Sequence, residues 1–468
     1  MVFSSIEFVF YFLPAFLLVY FAVPQTYRNA VLFGASLLFY FYGVKDQPFY
    51  MVLIVLSILV NFFVAKRMSH SHWTRNRRRW LKLGLFYNLG WLFVFKYLDF
   101  LSENINAVSR LLGGGELLPY MNLVLPIGIS FYTFQISSYL IDVFRKQIKA
   151  EQSVLTLGTY LVMFPQLIAG PIVLYSSVQK ELHKRRHSFS RFENGMREFT
   201  IGLGLKVLIA NQVGNLWSQV NAIGYESIST PLAWLGLFAY SLQIYFDFYG
   251  YSLMAKGLGW MMGFRFPDNF NNPYLSVSMT DFWRRWHMTL GSWFREYVYI
   301  PLGGNRRHLA RNLFVVWMLT GLWHGASWNF VLWGFLIFVL IFLEKKKLGA
   351  VLETYRPLGH LYMLFVIPLS WLLFAVTDLR QIGLYLQRLF PFFSGSTVPI
   401  FAQDYIKYGR MYLLSLLAGL LCCTGWPRKC YQRYKYHFLT AVALLAIFWG
   451  CVYCMYLGLD DPFLYFRF

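Results

Sequence analysis

Charged side chains are scarce in this sequence of 468 residues, where lysine, arginine, aspartate and glutamate together make up only 13%. A soluble chain carries about a quarter charged residues, so the composition excludes an ordinary soluble protein. Hydrophobic residues make up 57% and recur in stretches long enough to cross a bilayer. The sequence therefore predicts an all-α fold, that of a polytopic helical membrane protein.

Acidic residues are especially few, 21 against 42 lysines and arginines, which gives a net charge of +21. This excess does not indicate a nucleic-acid partner, because the basic residues cluster in loops between apolar stretches, as the positive-inside rule predicts. These basic loops are 66–82, 180–191, 306–311, 345–347 and 428–435. With ten crossing stretches, from 7–24 to 437–457, cytoplasmic basic loops place the N-terminus outside.

Cysteine is also rare, and all five cysteines lie after residue 421. Cys451 and Cys454 form a CxxC inside an apolar stretch, without histidine or further cysteine at ligand spacing. Small packing residues are the favoured interpretation. We predict no metal site.

The common catalytic signatures are absent as well: there is no GxSxG, P-loop or HExxH motif. No internal repeat is present, and no loop is long enough for a separate catalytic domain. We therefore predict one membrane domain over 1–468, whose chemistry comes from residues within the membrane part.

Two apolar stretches, 154–174 and 312–343, have basic residues at both ends and do not fit simple crossings. The first contains two prolines and a glycine in 164–171, which break a helix. The second is interrupted at His324. Both are typical of re-entrant hairpins that enter from the cytoplasmic side. Broken backbone at membrane depth is tolerated where protein buries it or it lines a watery cavity, so the 312–343 hairpin predicts a cavity.

Segment 251–311 is too polar to span a membrane, yet it is rich in aromatic residues. Residues 267–274 have the composition of a turn-rich loop. The pattern from Ser278 to Tyr299 predicts an amphipathic helix in the interface plane or along a cytoplasmic funnel.

Three ionisable residues in apolar surroundings are candidates for function, because such residues are costly in a membrane. His324 is either a base, kept neutral by desolvation, or a structural residue that hydrogen-bonds across helices, and its position alone does not decide. For His287 the structural role is somewhat favoured. Asp247 has a preferred structural role as the partner of a lysine or arginine from the next segment.

Four ordered motifs connect these residues to a known family. The motifs are Pro-Asp-Asn-Phe-Asn-Asn-Pro-Tyr (267–274), Asp-Phe-Trp-Arg-Arg-Trp-His-Met-Thr-Leu (281–290), Trp-Phe-Arg-Glu-Tyr-Val-Tyr-Ile-Pro-Leu-Gly-Gly-Asn-Arg (293–306) and Gly-Leu-Trp-His-Gly-Ala-Ser-Trp (321–328). Together they resemble the membrane-bound O-acyltransferase (MBOAT) family, in its bacterial alginate O-acetylation branch. The terminal Phe-Leu-Tyr-Phe-Arg-Phe (463–468) fits the same branch.

The resemblance implies an MBOAT fold, with re-entrant and interfacial helices around a central tunnel. It also implies two catalytic histidines, His324 and the less settled His287. Arg284, Arg285 and Arg306 become anchors for an anionic donor, since guanidinium suits phosphate. The other residues predicted to contact substrate are Trp286, Trp323, Asn305 and Asp247.

The function implied is transfer of an acyl group, taken as acetyl from acetyl-CoA, across the membrane to a cell-surface or exported polysaccharide. No cofactor is expected to stay bound. Because the chain has no large extracellular domain, an extracytoplasmic SGNH-type partner is implied, with this protein in a bacterial inner membrane. One alternative is a D-alanyl transferase for teichoic acid, fed by an acyl carrier protein. The other is a transporter of an acyl carrier or lipid-linked sugar, which the missing repeat symmetry disfavours.

Overall fold

The computed structural model describes residues 2–167, 170–393, 401–458 and 463–464, and all regular structure in these ranges is helical. Contacts divide the chain into two units. The first comprises 7–196 and 255–267, and the second comprises 2–6, 197–254 and 268–468. The prediction of a single membrane domain stays a prediction.

The first unit is built from eight α-helices, preceded by a π-helical turn at Glu7–Phe12. They are α1 (Leu13–Ala22), α2 (Arg28–Gly43), α3 (Phe49–His70), α4 (Thr74–Leu111), α5 (Ile129–Phe144), α6 (Val154–Val162), α7 (Phe164–Leu167) and α8 (Tyr175–His183). Helices α3 and α4 are joined by reciprocal amide hydrogen bonds of 2.9 and 2.7 Å between Asn61 and Asn88.

The break predicted in 164–171 is present. Helix α6 ends at Val162, Met163 leaves the helical conformation, and the short α7 begins at Phe164. Residues 168 and 169 of this motif lie outside the described residues. Re-entry from the cytoplasmic side stays a prediction.

Two helices, α9 (Phe189–Gly204) and α11 (Thr230–Met262), contribute residues to both units. The remaining helices of the second unit are α10 (Asn211–Ile223), α12 (Met279–Arg285), α13 (Met288–Phe294), α14 (Leu309–His324), α15 (Trp328–Leu343), α16 (Gly349–Thr354), α17 (Arg356–Ala375), α18 (Leu379–Leu389), α19 (Asp404–Met411), α20 (Leu413–Cys423), α21 (Trp426–Tyr434) and α22 (Phe438–Tyr456). Three π-helical segments interrupt or extend them, at Leu205–Ala210, Arg295–Tyr299 and Glu344–Leu348. π-Helical turns are frequent at functional sites.

Three helices in the described ranges are long and apolar enough to cross a membrane: α3, α17 and α22. The pair α19 and α20, bent by 67°, counts as a fourth if it is one span. The apolar helical stretch Glu7–Ala22 is shorter: its 16 residues extend about 24 Å, less than the ~30 Å hydrocarbon core. The chain is a multi-pass membrane protein, while ten crossings and an outside N-terminus stay predictions.

The basic segment 66–82 differs from the predicted loop. Helix α3 continues to His70 and α4 begins at Thr74, so only three residues link them. The basic residues therefore lie on the ends of two long helices. Composition alone does not distinguish helix ends from a loop here, because arginine and lysine are good helix formers.

Candidate functional site

A glycine-packed hairpin forms one wall of the site in the second unit. Helices α14 and α15 are joined by Gly325–Ser327, which confirms the predicted break at His324. A Cβ atom added to Gly321 would lie 2.4 Å from the Phe330 carbonyl oxygen, and one added to Gly334 would lie 2.5 Å from that of Trp317. The two helices therefore approach at a distance that only glycine permits.

His324 is the last residue of α14 and is buried among aromatic rings. Its ring centroid lies 5.2 Å from Trp333 and 5.0 Å from Phe374, both in edge-on arrangements. The imidazole lines a chamber of about 20 Å³, together with Asp247 and Trp286. This volume is close to that of one water molecule, so the chamber is tight around any group that enters it.

His287 lies at a break that the sequence did not reveal. Helix α12 ends at Arg285, His287 adopts a left-handed conformation with φ 42° and ψ 53°, and α13 begins at Met288. The helix predicted from Ser278 to Tyr299 is present in two parts, interrupted at Trp286 and His287. Its place in the interface plane or along a funnel stays a prediction. The reason for the interruption lies in the preceding loop, which takes over backbone hydrogen bonds at the break.

Asn269 forms several of the hydrogen bonds that replace those of the interrupted helix. Its carbonyl oxygen accepts a hydrogen bond from the Met288 N–H at 2.9 Å, and its side-chain oxygen lies 3.0 Å from His287 Nδ1. His287 is only 2% exposed. Burial lowers the pKa of His287 to about 3, so the imidazole is neutral at physiological pH and is available as a base.

A larger cavity of about 420 Å³ opens beside His287. The hairpin contributes Trp317 and Thr320 of α14 to its wall, whereas the break at His324 lies beside the small chamber. A watery cavity at the broken backbone stays a prediction. Three cations, Arg284, Arg295 and Lys345, also line it and are exposed, whereas His287 is buried. The cavity thus joins an open basic side to a buried imidazole. An anionic ligand with a reactive end fits this arrangement.

Trp286 and Trp323 occupy positions between the two histidines. Trp286 lines both the cavity and the chamber of His324. The Trp323 ring centroid lies 6.2 Å from that of His287 and 5.0 Å from that of His324. The structure therefore brings together four of the predicted site residues as one aromatic cluster.

The other predicted residues divide between the cavity wall and its surroundings. Arg284 and Asn305 line the cavity, and the Asn305 side-chain oxygen accepts a hydrogen bond from Tyr299 at 2.6 Å. Arg285 is not among the lining residues and forms an ion pair of 2.9 Å with Asp281. Arg306 is exposed in the turn before α14 and likewise lies outside the lining set.

Asp247 has the structural partner that the sequence favoured, although the lysine comes from the preceding segment. Lys206 Nζ lies 2.5 Å from Asp247 Oδ1, and both side chains are buried. Asp247 Oδ2 accepts a hydrogen bond of 2.7 Å from the Leu464 N–H. Since Asp247 also lines the His324 chamber, contact with substrate stays a prediction.

Two residues that matter for the site carry little signal in the sequence. Asn269 is one of several polar residues in a turn-rich loop. Glu344 is buried, and its carboxylate accepts hydrogen bonds from the Met279 and Thr280 N–H groups at 2.7 and 2.8 Å, which caps α12. The one available signal was a lone acid before three lysines at the end of an apolar run.

The chain resembles known proteins over most of its length. Residues 37–351 match the membrane-bound O-acyltransferase family. The probable alginate O-acetylase AlgI of Azotobacter vinelandii is 39% identical over 384 residues, covering 81% of this chain and 76% of its own length. The peptidoglycan O-acetyltransferase of Helicobacter pylori is 34% identical, covering 81% and 78%.

A more distant relative is the teichoic acid D-alanyltransferase of Bacillus subtilis. It is 30% identical over 245 residues, which cover 48% of this chain and 62% of its own length. The family match extends through both histidine motifs and favours an enzyme over a transporter. The chain therefore belongs to the membrane-bound O-acyltransferase family and is an O-acyltransferase.

Proposed function

We propose that this enzyme takes an acetyl group from acetyl-CoA at the cytoplasmic side and passes it outward for O-acetylation of a cell-surface or exported polysaccharide. The observation that carries the proposal is the cavity that joins exposed Arg284, Arg295 and Lys345 to buried His287. The cations can form charge-assisted hydrogen bonds with the phosphates of an anionic thioester. The neutral imidazole can accept a proton at the thioester end of the same ligand.

In the proposed reaction, a hydroxyl oxygen attacks the thioester carbonyl and an imidazole accepts the hydroxyl proton. The carbon–sulfur bond then breaks, and the thiolate leaves with the proton returned to sulfur. The products are an O-acetyl ester and free thiol. His324 handles the acyl group in the tight chamber. Trp286 forms the wall between this chamber and the larger cavity beside His287, which we call the donor cavity.

The acceptor and partner belong to the same proposal. Two relatives, the probable alginate O-acetylase AlgI and the peptidoglycan O-acetyltransferase, support a polysaccharide acceptor. An extracytoplasmic SGNH-type transferase would supply the attacking hydroxyl and hold the acetyl group as an ester. A polysaccharide hydroxyl would then take the acetyl group from it outside a bacterial inner membrane and release the hydroxyl of the transferase, with the N-terminus of this chain also outside.

Radiolabelled acetyl-CoA supplied to membranes that contain the enzyme, its extracytoplasmic partner transferase and the polysaccharide acceptor tests this proposal. We expect label on the polysaccharide, a loss of at least about a hundredfold in His287→Ala, the scale of general base catalysis, and a clear loss in His324→Ala, which removes the residue that handles the acyl group. The exposed His360 provides the matched control, so His360→Ala should label normally. Full labelling by His324→Ala would contradict a catalytic His324.

The relative from Bacillus subtilis favours a second candidate, transfer of D-alanine from a carrier protein to teichoic acid. A parallel reaction with labelled D-alanyl carrier protein separates the two. Label from acetyl-CoA alone supports the first candidate, and label from the carrier protein alone supports the second.

A further inference from the structure

The side chain of Asn269 makes contacts that determine which way its amide faces. Its Oδ1 atom lies 3.3 Å from the Thr289 backbone nitrogen and 2.9 Å from the Thr289 hydroxyl. A backbone N–H can only donate, so the amide atom facing it must be the oxygen. The other end agrees, because Nδ2 donates to the Ser252 hydroxyl at 3.2 Å.

The same oxygen lies 3.0 Å from His287 Nδ1. An amide oxygen only accepts, so Nδ1 must carry a proton and donate it. In a neutral imidazole the other nitrogen, Nε2, then holds the lone pair. Nε2 is buried, and within the described part of the chain it has no hydrogen-bond partner.

We propose that Asn269 is a positioning residue that holds His287 in the Nδ1-protonated tautomer and leaves Nε2 as the proton acceptor for chemistry in the donor cavity. The inference rests on the proposed function and adds the tautomer of the imidazole and its cause. Asn269 reaches His287 twice, through its side chain at Nδ1 and through its carbonyl oxygen at the following Met288 N–H. It therefore orients both the ring and the left-handed backbone that carries it.

Charged groups near His287 come from several elements. Helix α12 carries Asp281, Arg284 and Arg285, the loop carries Asp268, α11 carries Asp247, and the cavity wall adds Arg295 and Lys345. Asp281 is paired with Arg285, and Asp247 with Lys206. Burial alone lowers the pKa of His287, without a contribution from these charges.

The proposed step conserves atoms and charge. Nε2 accepts the hydroxyl proton while the oxygen–carbon bond forms, and the imidazolium keeps its Nδ1–H on Asn269. The proton then passes from Nε2 to the departing sulfur. With the opposite tautomer, Nε2 carries a proton and cannot act as acceptor, so the step requires the asparagine oxygen.

The tautomer is measurable without any assay of activity. In full-length protein labelled with ¹⁵N-histidine in lipid bilayers, protonated and bare ring nitrogens give separate NMR signals. The signals lost in His287→Gln identify this residue. We expect a protonated Nδ1 and a bare Nε2 in wild type, retention of Nδ1–H in Asn269→Asp, and loss of the preference in Asn269→Leu.

A protonated Nε2 in wild type would overturn the inference. So would an Asn269→Leu protein with the wild-type tautomer. If Asn269→Leu does not fold, the wild-type and Asn269→Asp spectra still decide. These outcomes are independent of whether acetyl-CoA is the donor, so failure here is separable from failure of the proposed function.

Kinetics provide the second readout. Asn269→Leu should lower kcat by at least about tenfold with little change in KM for acetyl-CoA, because the base rather than the donor contacts is affected. In Asn269→Asp the new carboxylate favours the imidazolium and raises its pKa, so activity should be lost at a higher pH than in wild type as the pH falls. The exposed Asn271 is the matched control, and Asn271→Leu should keep the wild-type kcat and pH profile. An unshifted profile in Asn269→Asp would contradict the inference.

Discussion

The ion pair between Lys206 and Asp247 illustrates how single residues are constrained near the chamber of His324. Both side chains are buried, and Asp247 also accepts the Leu464 N–H. A buried charge without its partner is strongly destabilising, whereas the intact pair is close to neutral against well-packed uncharged residues. Each residue of the pair is therefore needed to compensate the charge of the other.

Lys206→Met should lower the free energy of unfolding by about 3–5 kcal/mol, because it leaves the Asp247 carboxylate buried and uncompensated. The double variant Lys206→Met/Asp247→Asn should recover most of this loss, since the asparagine oxygen still accepts from Leu464. Thermal unfolding of the purified protein in detergent measures both. A double variant no more stable than Lys206→Met would argue against the ion pair as the cause.

At the scale of elements, the α14–α15 hairpin depends on two glycines that face each other across the helix contact. Each lacks room for a methyl group, since the nearest carbonyl oxygens would lie 2.4 and 2.5 Å from an added Cβ atom. Backbone atoms cannot yield as a flexible side chain does, so the two helices would have to separate. His324 at the end of α14 would move with them.

Gly321→Ala and Gly334→Ala should each destabilise the protein by about 1–3 kcal/mol, the usual cost of overpacking, and should reduce acyl transfer. Unfolding temperature and label incorporation are the measurements. Gly450 in α22 is a matched control with open space around its Cα, and Gly450→Ala should be neutral or slightly stabilising. Equal effects at all three sites would point to a general response to alanine.

At the scale of the whole molecule, the distribution of basic residues predicts the direction of each crossing. If 66–82 is cytoplasmic and the N-terminus is outside, the segment 98–118 faces outward. Both regions offer exposed positions, Arg75 and Gly115.

In a background with the five native cysteines replaced by serine, Gly115→Cys should react with a membrane-impermeant maleimide in intact cells, and Arg75→Cys should not. After the cells are made permeable, both should react, which controls for reactivity. The reverse labelling pattern would contradict the predicted topology.

Much of the helical architecture of this protein could be predicted from local sequence. The sequence predicts a break in 164–171 from its prolines and glycine, and an interruption at His324 between two apolar runs. Breaks are present at both places. The kink at His287 was not predictable, because its amphipathic pattern continues unbroken from Ser278 to Tyr299. The break arises because the packed loop 267–274 forms hydrogen bonds with backbone groups that would otherwise bond within the helix.

The sequence by itself determined the membrane class, the helical architecture, the family and the identity of the two histidines, since composition, breaks and ordered motifs are local properties. The tertiary structure decided that Arg284 and Arg295 line the cavity, that Lys206 pairs with Asp247, and that the Asn269 side chain meets Nδ1 of His287. Those outcomes depend on side chains that meet only after folding, from Asn269 and His287, 18 positions apart, to Asp247 and Leu464, 217 apart. Burial makes each contact important for stability, because a polar group removed from water costs free energy unless it is hydrogen-bonded within the protein.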